Sequence, residues 1–173
     1  MSTQVTAWQG VSRSVEHTLA IGGAIAGCAR AGDVIALVGE LGAGKTQLVR
    51  GLAAGLGLDP SSVSSPTFVM VQEYEPAGSG PALVHVDAYR LHSLDDFESI
   101  GWQSGPGPGS DMADHAVVAV EWADRVAGML GDDLLTVTLT HQDDNHRGVC
   151  IEAAGTWAAR LPGLIESLQR ITG

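Results

Sequence analysis

A glycine-rich octet behind a short apolar segment is the feature that most narrows what this sequence can fold into. Asp33–Val38 (D-V-I-A-L-V) is mostly β-branched or apolar, which is typical of a buried strand in a parallel sheet. It leads directly into Gly39–Thr46, G-E-L-G-A-G-K-T, which satisfies the phosphate-loop pattern G-x-x-x-x-G-K-[S/T]. A helix is expected from about Lys45 to Leu56, so the pattern predicts a strand, a loop and a helix in that order.

This loop predicts a nucleotide site. Its glycines let backbone N–H groups point inward around an anion, and the following helix adds the positive end of its dipole. Lys45 would reach the outer phosphates, and the Thr46 hydroxyl would bind magnesium. Lys45 is the sole lysine beside eight arginines, which indicates a site that needs a compact ammonium. We expect ATP or ADP with Mg²⁺, bound by Gly39, Glu40, Leu41, Gly42, Ala43, Gly44, Lys45, Thr46 and Gln47. A glycine turn that matches by chance is the alternative.

Two carboxylates at predicted strand ends are candidates for the magnesium shell and for placing an attacking water. The apolar strands Ala82–Val86 and Ala116–Val120 are followed by Asp87 and Glu121. If both strands run parallel to the strand before Gly39, their carboxylates emerge at the edge of the sheet where the loop lies. The alternative for each is a solvated acid at the end of a strand.

Strands and helices alternate along the chain, which predicts an α/β fold of the P-loop NTPase-like type: a three-layer sandwich with a mixed sheet, parallel core strands and antiparallel edge strands. A mobile loop is expected at about 103–113, because Gly105–Ser110 (G-P-G-P-G-S) suits neither a helix nor a central strand. The other expected elements are a strand at Thr3–Trp8, a helix capped by Ser12 with an apolar stripe of Val15, Leu19, Ile25 and Cys28, a strand at Thr67–Glu75, a helix at Asp124–Leu130, antiparallel strands at Leu134–His141 and Arg147–Ala153, and a helix at Trp157–Ile171.

The last two strands are predicted to form a hairpin around the polar residues Q-D-D-N. A metal site built from His141, His146, Asp143 and Asp144 is the alternative, but a polar turn fits these residues better.

Length and charge limit the function classes. A chain of 173 residues with 45% hydrophobic content predicts one domain over residues 1–173. A formal net charge of −11 repels phosphate backbones, so we expect no tight, direct binding of nucleic acid by this chain alone. The first ten residues lack the pattern of a leader peptide, and no segment approaches the roughly 20 apolar residues of a membrane span. A cytoplasmic protein without membrane contact is therefore expected.

Five motifs together resemble the TsaE (YjeE) family, the small ATPase of the bacterial machinery that makes threonylcarbamoyladenosine in tRNA. They occur in the order and spacing of that family over roughly Ser12 to Leu161. The motifs are G-E-L-G-A-G-K-T at Gly39–Thr46, R-G at Arg50–Gly51, S-P-T-F at Ser65–Phe68, H-V-D-A-Y-R-L at His85–Leu91 and E-W at Glu121–Trp122. As an ordered set they are more specific than the phosphate loop alone.

The resemblance implies a role for each matched residue. Lys45 and Thr46 would hold phosphates and magnesium, Asp87 would be the Walker-B-like acid, and Glu121 would belong to the metal shell or position water. Trp122 would lie near the nucleotide, with ordinary core packing as its alternative. The implied catalytic residues are Glu121, Asp87, Lys45 and Thr67, the last in a switch-like segment, and the implied metal ligands are Thr46, Glu121 and Asp87.

The resemblance also implies partners, namely proteins like TsaD and TsaB, and an ATPase that is slow alone. Two other functions remain open for the same loop. A small-molecule kinase would need an acceptor pocket and usually a lid with arginines, and the sequence has no such arginine cluster. A nucleotide-gated binding protein or GTPase-like switch is the second, although no N-K-x-D run is present. Three residues of the fourth motif have weaker assignments. His85 is interpreted as stacked inside the sheet, Arg90 as paired with Asp95 or Asp96 on the surface, and Tyr89 has no assigned role.

Overall fold

Seven strands form one mixed sheet, in a computed structural model that describes residues 6–65, 70–100 and 114–172. Across the sheet the strand order is β1-β7-β6-β2-β5-β4-β3. The elements are β1 (Thr6–Ser12), α1 (Val15–Cys28), β2 (Val34–Val38), α2 (Lys45–Gly55), β3 (Val71–Tyr74), β4 (Ala82–Asp87), α3 (Leu94–Ser99), β5 (Ala116–Glu121), β6 (Leu135–His141), β7 (Arg147–Ala153) and α4 (Leu161–Thr172). Short 3₁₀ segments lie at Pro60–Ser62, Ala123–Met129 and Gly155–Trp157.

The four central strands β6, β2, β5 and β4 are parallel, whereas β7 pairs antiparallel with both β6 and β1, and β3 pairs antiparallel with β4. This confirms the predicted parallel core with antiparallel strands towards both edges. It also fulfils the condition set for the two strand-end acids, because the strands that end in Asp87 and Glu121 both run parallel to β2. The carboxyl ends of these strands meet at one edge of the sheet.

Both faces of the sheet are buried, which is why the central strands are almost continuously apolar. On one face, Ile35 and Leu37 of β2 pack with residues of α1, α2 and α4. On the other face, Val34 and Ala36 pack with Val126 and other residues of the 3₁₀ segment Ala123–Met129. The predicted three-layer sandwich is confirmed. No helix of the described residues has the length and apolar content that crossing a membrane would require.

Several predicted segments differ in their details. Ser14, not Ser12, caps α1, because its Oγ accepts a hydrogen bond from the His17 N–H at 3.1 Å. Ser12 is instead the last residue of β1. Its side chain is buried, and its hydroxyl lies 2.8 Å from the Thr18 hydroxyl. The helix predicted at Asp124–Leu130 is wrong in type, since this segment is 3₁₀ with a kink at Val126. Helix α3 was not predicted.

The buried face of α1 agrees with the predicted stripe in part, since Ile25 is fully buried and Leu19 and Cys28 are half-buried. Its buried residues are Thr18, Ile21, Gly22, Ile25 and Ala26, whereas Val15 is 52% exposed. The reason is close contact with α2: a Cβ atom at Gly22 would overlap the backbone oxygen of Leu48, and one at Gly51 would overlap the backbone oxygen of Leu19. The two helices therefore meet backbone to backbone, and small residues decide which side of α1 faces inward.

This contact predicts opposite effects for two consecutive glycines of α1. Gly22→Ala should lower the free energy of unfolding by about 1–3 kcal/mol, because its methyl group overlaps α2 backbone that has no space to move. Gly23→Ala is the matched control: its Cβ would lie 3.8 Å from the Gly51 oxygen, an ordinary contact distance, and alanine favours helix by about 0.5–1 kcal/mol. Urea denaturation of both variants measures the difference. Equal stability of the two variants would contradict the close contact.

Helix α4 is tied back to α1 at its carboxyl end. The Nδ1 atom of His17 accepts the Arg13 N–H at 3.0 Å, so the ring proton sits on Nε2, which donates to the Ile171 carbonyl at 2.7 Å. The same helix packs its apolar face on the sheet through Leu161, Leu164 and Leu168. The three helices of this face are thus joined by direct contacts.

The hairpin β6–β7 has the predicted polar turn. The Asp143 carboxylate accepts the backbone N–H groups of Asn145 and His146 at 2.9 and 2.8 Å, and the His146 ring lies 2.8 Å from the same oxygen. These hydrogen bonds lower the pKa of Asp143 to about 2, the His146 side chain contributing most. The turn interpretation of these residues is confirmed.

Candidate functional site

Residues 39–46 connect β2 to α2 through backbone conformations that glycine permits. Gly42 and Gly44 have φ angles of +78° and +105°, in the left-handed region. A Cβ atom at Gly39 would lie 2.6 Å from the backbone oxygen of Leu139. Gly44 is also the N-cap of α2 and, having no side chain, leaves the first amides of that helix without a side-chain cap. An uncapped helix start of this kind is a ready site for an anion.

Lys45 is the first residue of α2 and is only 4% exposed. Its Nζ donates to the carbonyl oxygens of Gly39 and Glu40 at 2.6 and 2.9 Å. The same ammonium lies 3.9 Å from the centre of the Trp122 ring. Burial lowers the pKa of Lys45, and the nearby carboxylates of Glu121 and Asp87 oppose that shift. The ammonium is therefore held by the loop itself, close to two acids.

Asp87 and Glu121 are direct partners on the neighbouring parallel strands β4 and β5. Both are buried, with 9% and 3% of their surface exposed. The Thr46 hydroxyl donates to Glu121 Oε1 at 2.9 Å, and the Tyr89 N–H donates to Asp87 Oδ1 at 2.9 Å. Burial raises the pKa of Asp87, and Glu121 raises it further. A hydroxyl and two carboxylates are thus gathered beside the loop.

Trp122 follows Glu121 in a left-handed conformation, with φ 59° and ψ 37°. It is the only non-glycine residue with positive φ among residues 6–65, 70–100 and 114–172, and such strain in a bulky residue often marks a functional site. Its ring meets the Tyr89 ring edge-on, with centroids 5.0 Å apart. The Arg125 guanidinium lies 4.5 Å from the centre of the Tyr89 ring and donates to the Tyr89 carbonyl at 3.1 Å.

These groups surround one cavity of about 540 Å³. Of the predicted site residues, nine line it: Leu41, Gly42, Gly44, Lys45, Thr46, Gln47, Asp87, Glu121 and Trp122. Gly39, Glu40 and Ala43 belong to the loop without lining the cavity, and Thr67 lies outside the described residues, as does the predicted mobile loop at about 103–113. Ser65, which belongs with Thr67 to the predicted switch-like segment, also lines the cavity. Met70, Tyr89 and Arg90 line it as well, although the sequence did not assign them to the site. The roles of all these residues stay predictions.

His85 is the functional candidate that the sequence interpretation missed. It is fully buried, and its Nε2 lies 2.8 Å from Glu121 Oε1. A signal was available in the motif H-V-D, because residues two apart in a strand share a face, which places His85 and Asp87 on the same side of β4. The idea that His85 is merely stacked inside the sheet is therefore incomplete.

The fold and the site together define a P-loop NTPase-like α/β protein. The defining features are the central parallel strand, the glycine loop with its lysine, the helix that begins at that lysine and the strand-end acids. The family model "Threonylcarbamoyl adenosine biosynthesis protein TsaE" matches residues 12–149. The chain therefore belongs to the TsaE family of threonylcarbamoyl adenosine biosynthesis proteins.

Individual relatives agree with this family. The tRNA threonylcarbamoyladenosine biosynthesis protein TsaE of Streptomyces coelicolor is 42% identical over 120 residues, covering 69% of this chain and 76% of its own. Its namesake in Treponema pallidum is 37% identical over 144 residues, covering 82% and 97%. The crystal structure of Bacillus subtilis YdiB matches with a TM-score of 0.69 and 30% identity over 98% of both chains. The fold and the family thus rest on similarity over most of the chain.

Proposed function

We propose that this protein is an ATPase that binds ATP with Mg²⁺ and hydrolyses it in support of tRNA N6-threonylcarbamoyladenosine formation. One observation carries the proposal: the sole lysine, an uncapped helix start and two paired strand-end carboxylates lie around a single cavity of about 540 Å³. Its volume lies within the usual range of ligand pockets, roughly 300–1,000 Å³.

The loop supports phosphate binding. The first amides of α2 have no side-chain cap, and the ammonium of Lys45 lies at the same end of the helix. On binding, the ammonium would exchange the Gly39 and Glu40 carbonyls for phosphate oxygens. Gln47, Leu41 and Gly42 line the part of the cavity next to the loop.

The acidic side of the cavity fits magnesium. Hydroxyl and carboxylate oxygens are the ligands that Mg²⁺ prefers, and the cavity offers Thr46, Asp87 and Glu121. The raised pKa of Asp87, caused mainly by burial, also suits a carboxylate that a cation would stabilise. Bound there, the ion would neutralise charge on the phosphates. Glu121 would accept a hydrogen bond from the attacking water and orient it.

A slow reaction in the isolated chain follows from its arginines. Phosphoryl transfer gains about 10³–10⁵-fold from an arginine on the transferring group. Arg50 donates to the Val63 carbonyl at 2.9 Å, and Arg125 lies against Tyr89. Arg90 lines the cavity but is itself exposed. We therefore propose activation by cytoplasmic partner proteins like TsaD and TsaB, which would also contact the tRNA that the charge of −11 repels.

Turnover with and without those partners tests the proposal. Phosphate release from ATP in the presence of magnesium should rise at least tenfold when the partners are added, since a complete site gains an ordered arginine or an ordered loop. The phosphate should be transferred to water rather than to a metabolite. GTP should compete poorly with ATP for the site. Equal turnover with and without partners would contradict the coupling, and phosphate on a small molecule would favour a kinase.

A further inference from the structure

His85 combines complete burial with an incomplete set of hydrogen bonds. Its Nε2 meets Glu121 Oε1 at 2.8 Å, but its Nδ1 is buried without a hydrogen-bond partner among the described residues. An unsatisfied buried polar atom costs stability, so an apolar side chain would suit folding alone better at this position. The imidazole therefore calls for a reason other than packing.

The contact with Glu121 defines where the ring proton is. A carboxylate oxygen 2.8 Å from Nε2 can only accept, so Nε2 must carry a proton. Since Nδ1 faces no acceptor among the described residues, a second proton there would be buried without a partner. His85 is therefore assigned as the neutral tautomer that donates to Glu121.

Two donors converge on the same oxygen of Glu121. The Thr46 hydroxyl on α2 and the His85 ring on β4 donate to Oε1 at 2.9 and 2.8 Å. Within the described parts of the chain, Oε2 accepts no hydrogen bond, and Glu121 lines the cavity. Two bonds from two different elements fix the rotation of the carboxylate. Its second oxygen remains available to the cavity.

We propose that His85 is a positioning residue for Glu121: by holding Oε1 together with Thr46, it keeps Oε2 directed at the water that attacks ATP. This inference rests on the proposed hydrolysis. His85 does not line the cavity and thus acts through Glu121 rather than on the substrate. A carboxylate held by only one donor would rotate between several positions, and fewer encounters with the water would be productive.

The first test compares His85→Leu with the wild type. The kcat for ATP should fall about 10- to 100-fold, the usual effect of removing a group that orients a reactive ligand. The KM for ATP should not change, because His85 touches no part of the loop. The Tm of His85→Leu should stay close to that of the wild type, because the variant loses the hydrogen bond to the buried Glu121 carboxylate but also loses the unsatisfied Nδ1. A merely structural role predicts the reverse, a lower Tm with unchanged kcat.

A matched amide pair covers the case in which His85→Leu does not fold. His85→Gln carries an N–H donor at about the reach of Nε2 and should restore most of the kcat. His85→Asn is shorter by one methylene and should behave like His85→Leu. Equal kcat values for the glutamine and asparagine variants would overturn the proposal.

A crystal structure of a variant that lacks the donor, His85→Leu or His85→Asn, gives a readout that does not depend on activity. The Glu121 carboxylate is expected to leave its place beside Thr46 or to occupy more than one position. An unmoved carboxylate would overturn the positioning role even if kcat falls. If the wild type releases no phosphate from ATP, with or without partners, the proposed function fails, while this structural comparison still decides whether His85 holds Glu121.

Discussion

Lys45→Ala is expected to weaken ATP binding by about 100-fold or more. The ammonium makes two short hydrogen bonds to loop carbonyls, and in the complex these would be replaced by bonds to phosphate oxygens. Hydrogen bonds to charged groups contribute about 1.5–3 kcal/mol each, and 1.4 kcal/mol is tenfold in Kd. Calorimetric titration of ATP with magnesium into the wild type and the variant measures the loss. Circular dichroism should show an intact fold, because Lys45 belongs to neither of the two buried hydrophobic clusters that flank the sheet.

Arg170→Ala is the matched control for charge. It removes one positive charge from an exposed position at the end of α4, so its Kd for ATP should equal that of the wild type. Lys45→Arg provides a second comparison, because the wide guanidinium does not fit where a compact ammonium is enclosed by two carbonyls and the Trp122 ring. If Lys45→Ala bound ATP with wild-type affinity, the loop would not be the nucleotide site.

Glu121→Gln is expected to lower kcat about 10²–10³-fold with little change in KM. The amide keeps the size of the side chain, and its oxygen can still accept from Thr46 and His85. It lacks the negative charge that orients and polarises the attacking water, and groups of this kind contribute about that factor in rate. Single-turnover phosphate release with enzyme in excess separates chemistry from binding.

Glu152→Gln makes the same chemical change on exposed surface of β7 and should leave kcat unchanged. The contrast between the two site variants is informative. Lys45→Ala should bind ATP much more weakly, whereas Glu121→Gln should bind ATP nearly as well as the wild type and cleave it far more slowly. A kcat within twofold of the wild type in Glu121→Gln would exclude this carboxylate from the reaction.

The parallel core of the fold could be predicted from sequence because its signals are local. The apolar run before Gly39 and the glycine octet specify a strand, a turn and a helix within about 20 residues. Asp87 and Glu121 each end an apolar run, so parallel pairing alone brings them together. The strand, the loop and the helix depend only on neighbours in the chain, whereas the meeting of the two acids also needs the parallel pairing of β4 with β5.

The side of α1 that faces inward could be predicted only in part, because Ile25 is buried as expected but Val15 is exposed. Hydrophobicity favours Val15, but the contact with α2 selects Gly22, because only glycine allows the two backbones to approach. That preference depends on a helix some 25 residues away in sequence. The side-chain size that a helix contact requires thus depends on tertiary structure, and hydrophobic periodicity along one helix does not predict it.

Two shorter segments differ from the prediction for different reasons: α3 was not predicted, and Ala123–Met129 was predicted as an α-helix. Helix α3 begins at a capping box in which Ser93 Oγ accepts the Asp96 N–H and Asp96 accepts the Ser93 N–H, at 3.1 and 3.0 Å, so a signal was present. The 3₁₀ segment Ala123–Met129 has no such signal in its sequence. Its conformation follows from Trp122, whose left-handed backbone turns the chain directly after β5. A strained tryptophan is set by its surroundings, not by its own propensity.

The glycine contact between α1 and α2 has a mechanical consequence. No side chain separates the backbones of α1 and α2 at Gly22 and Gly51. A displacement of the start of α2 is therefore expected to displace α1 as well. Through His17 and the Ile171 carbonyl, α1 in turn carries α4. We therefore expect the three helices on this face of the sheet to shift together when the start of α2 is displaced.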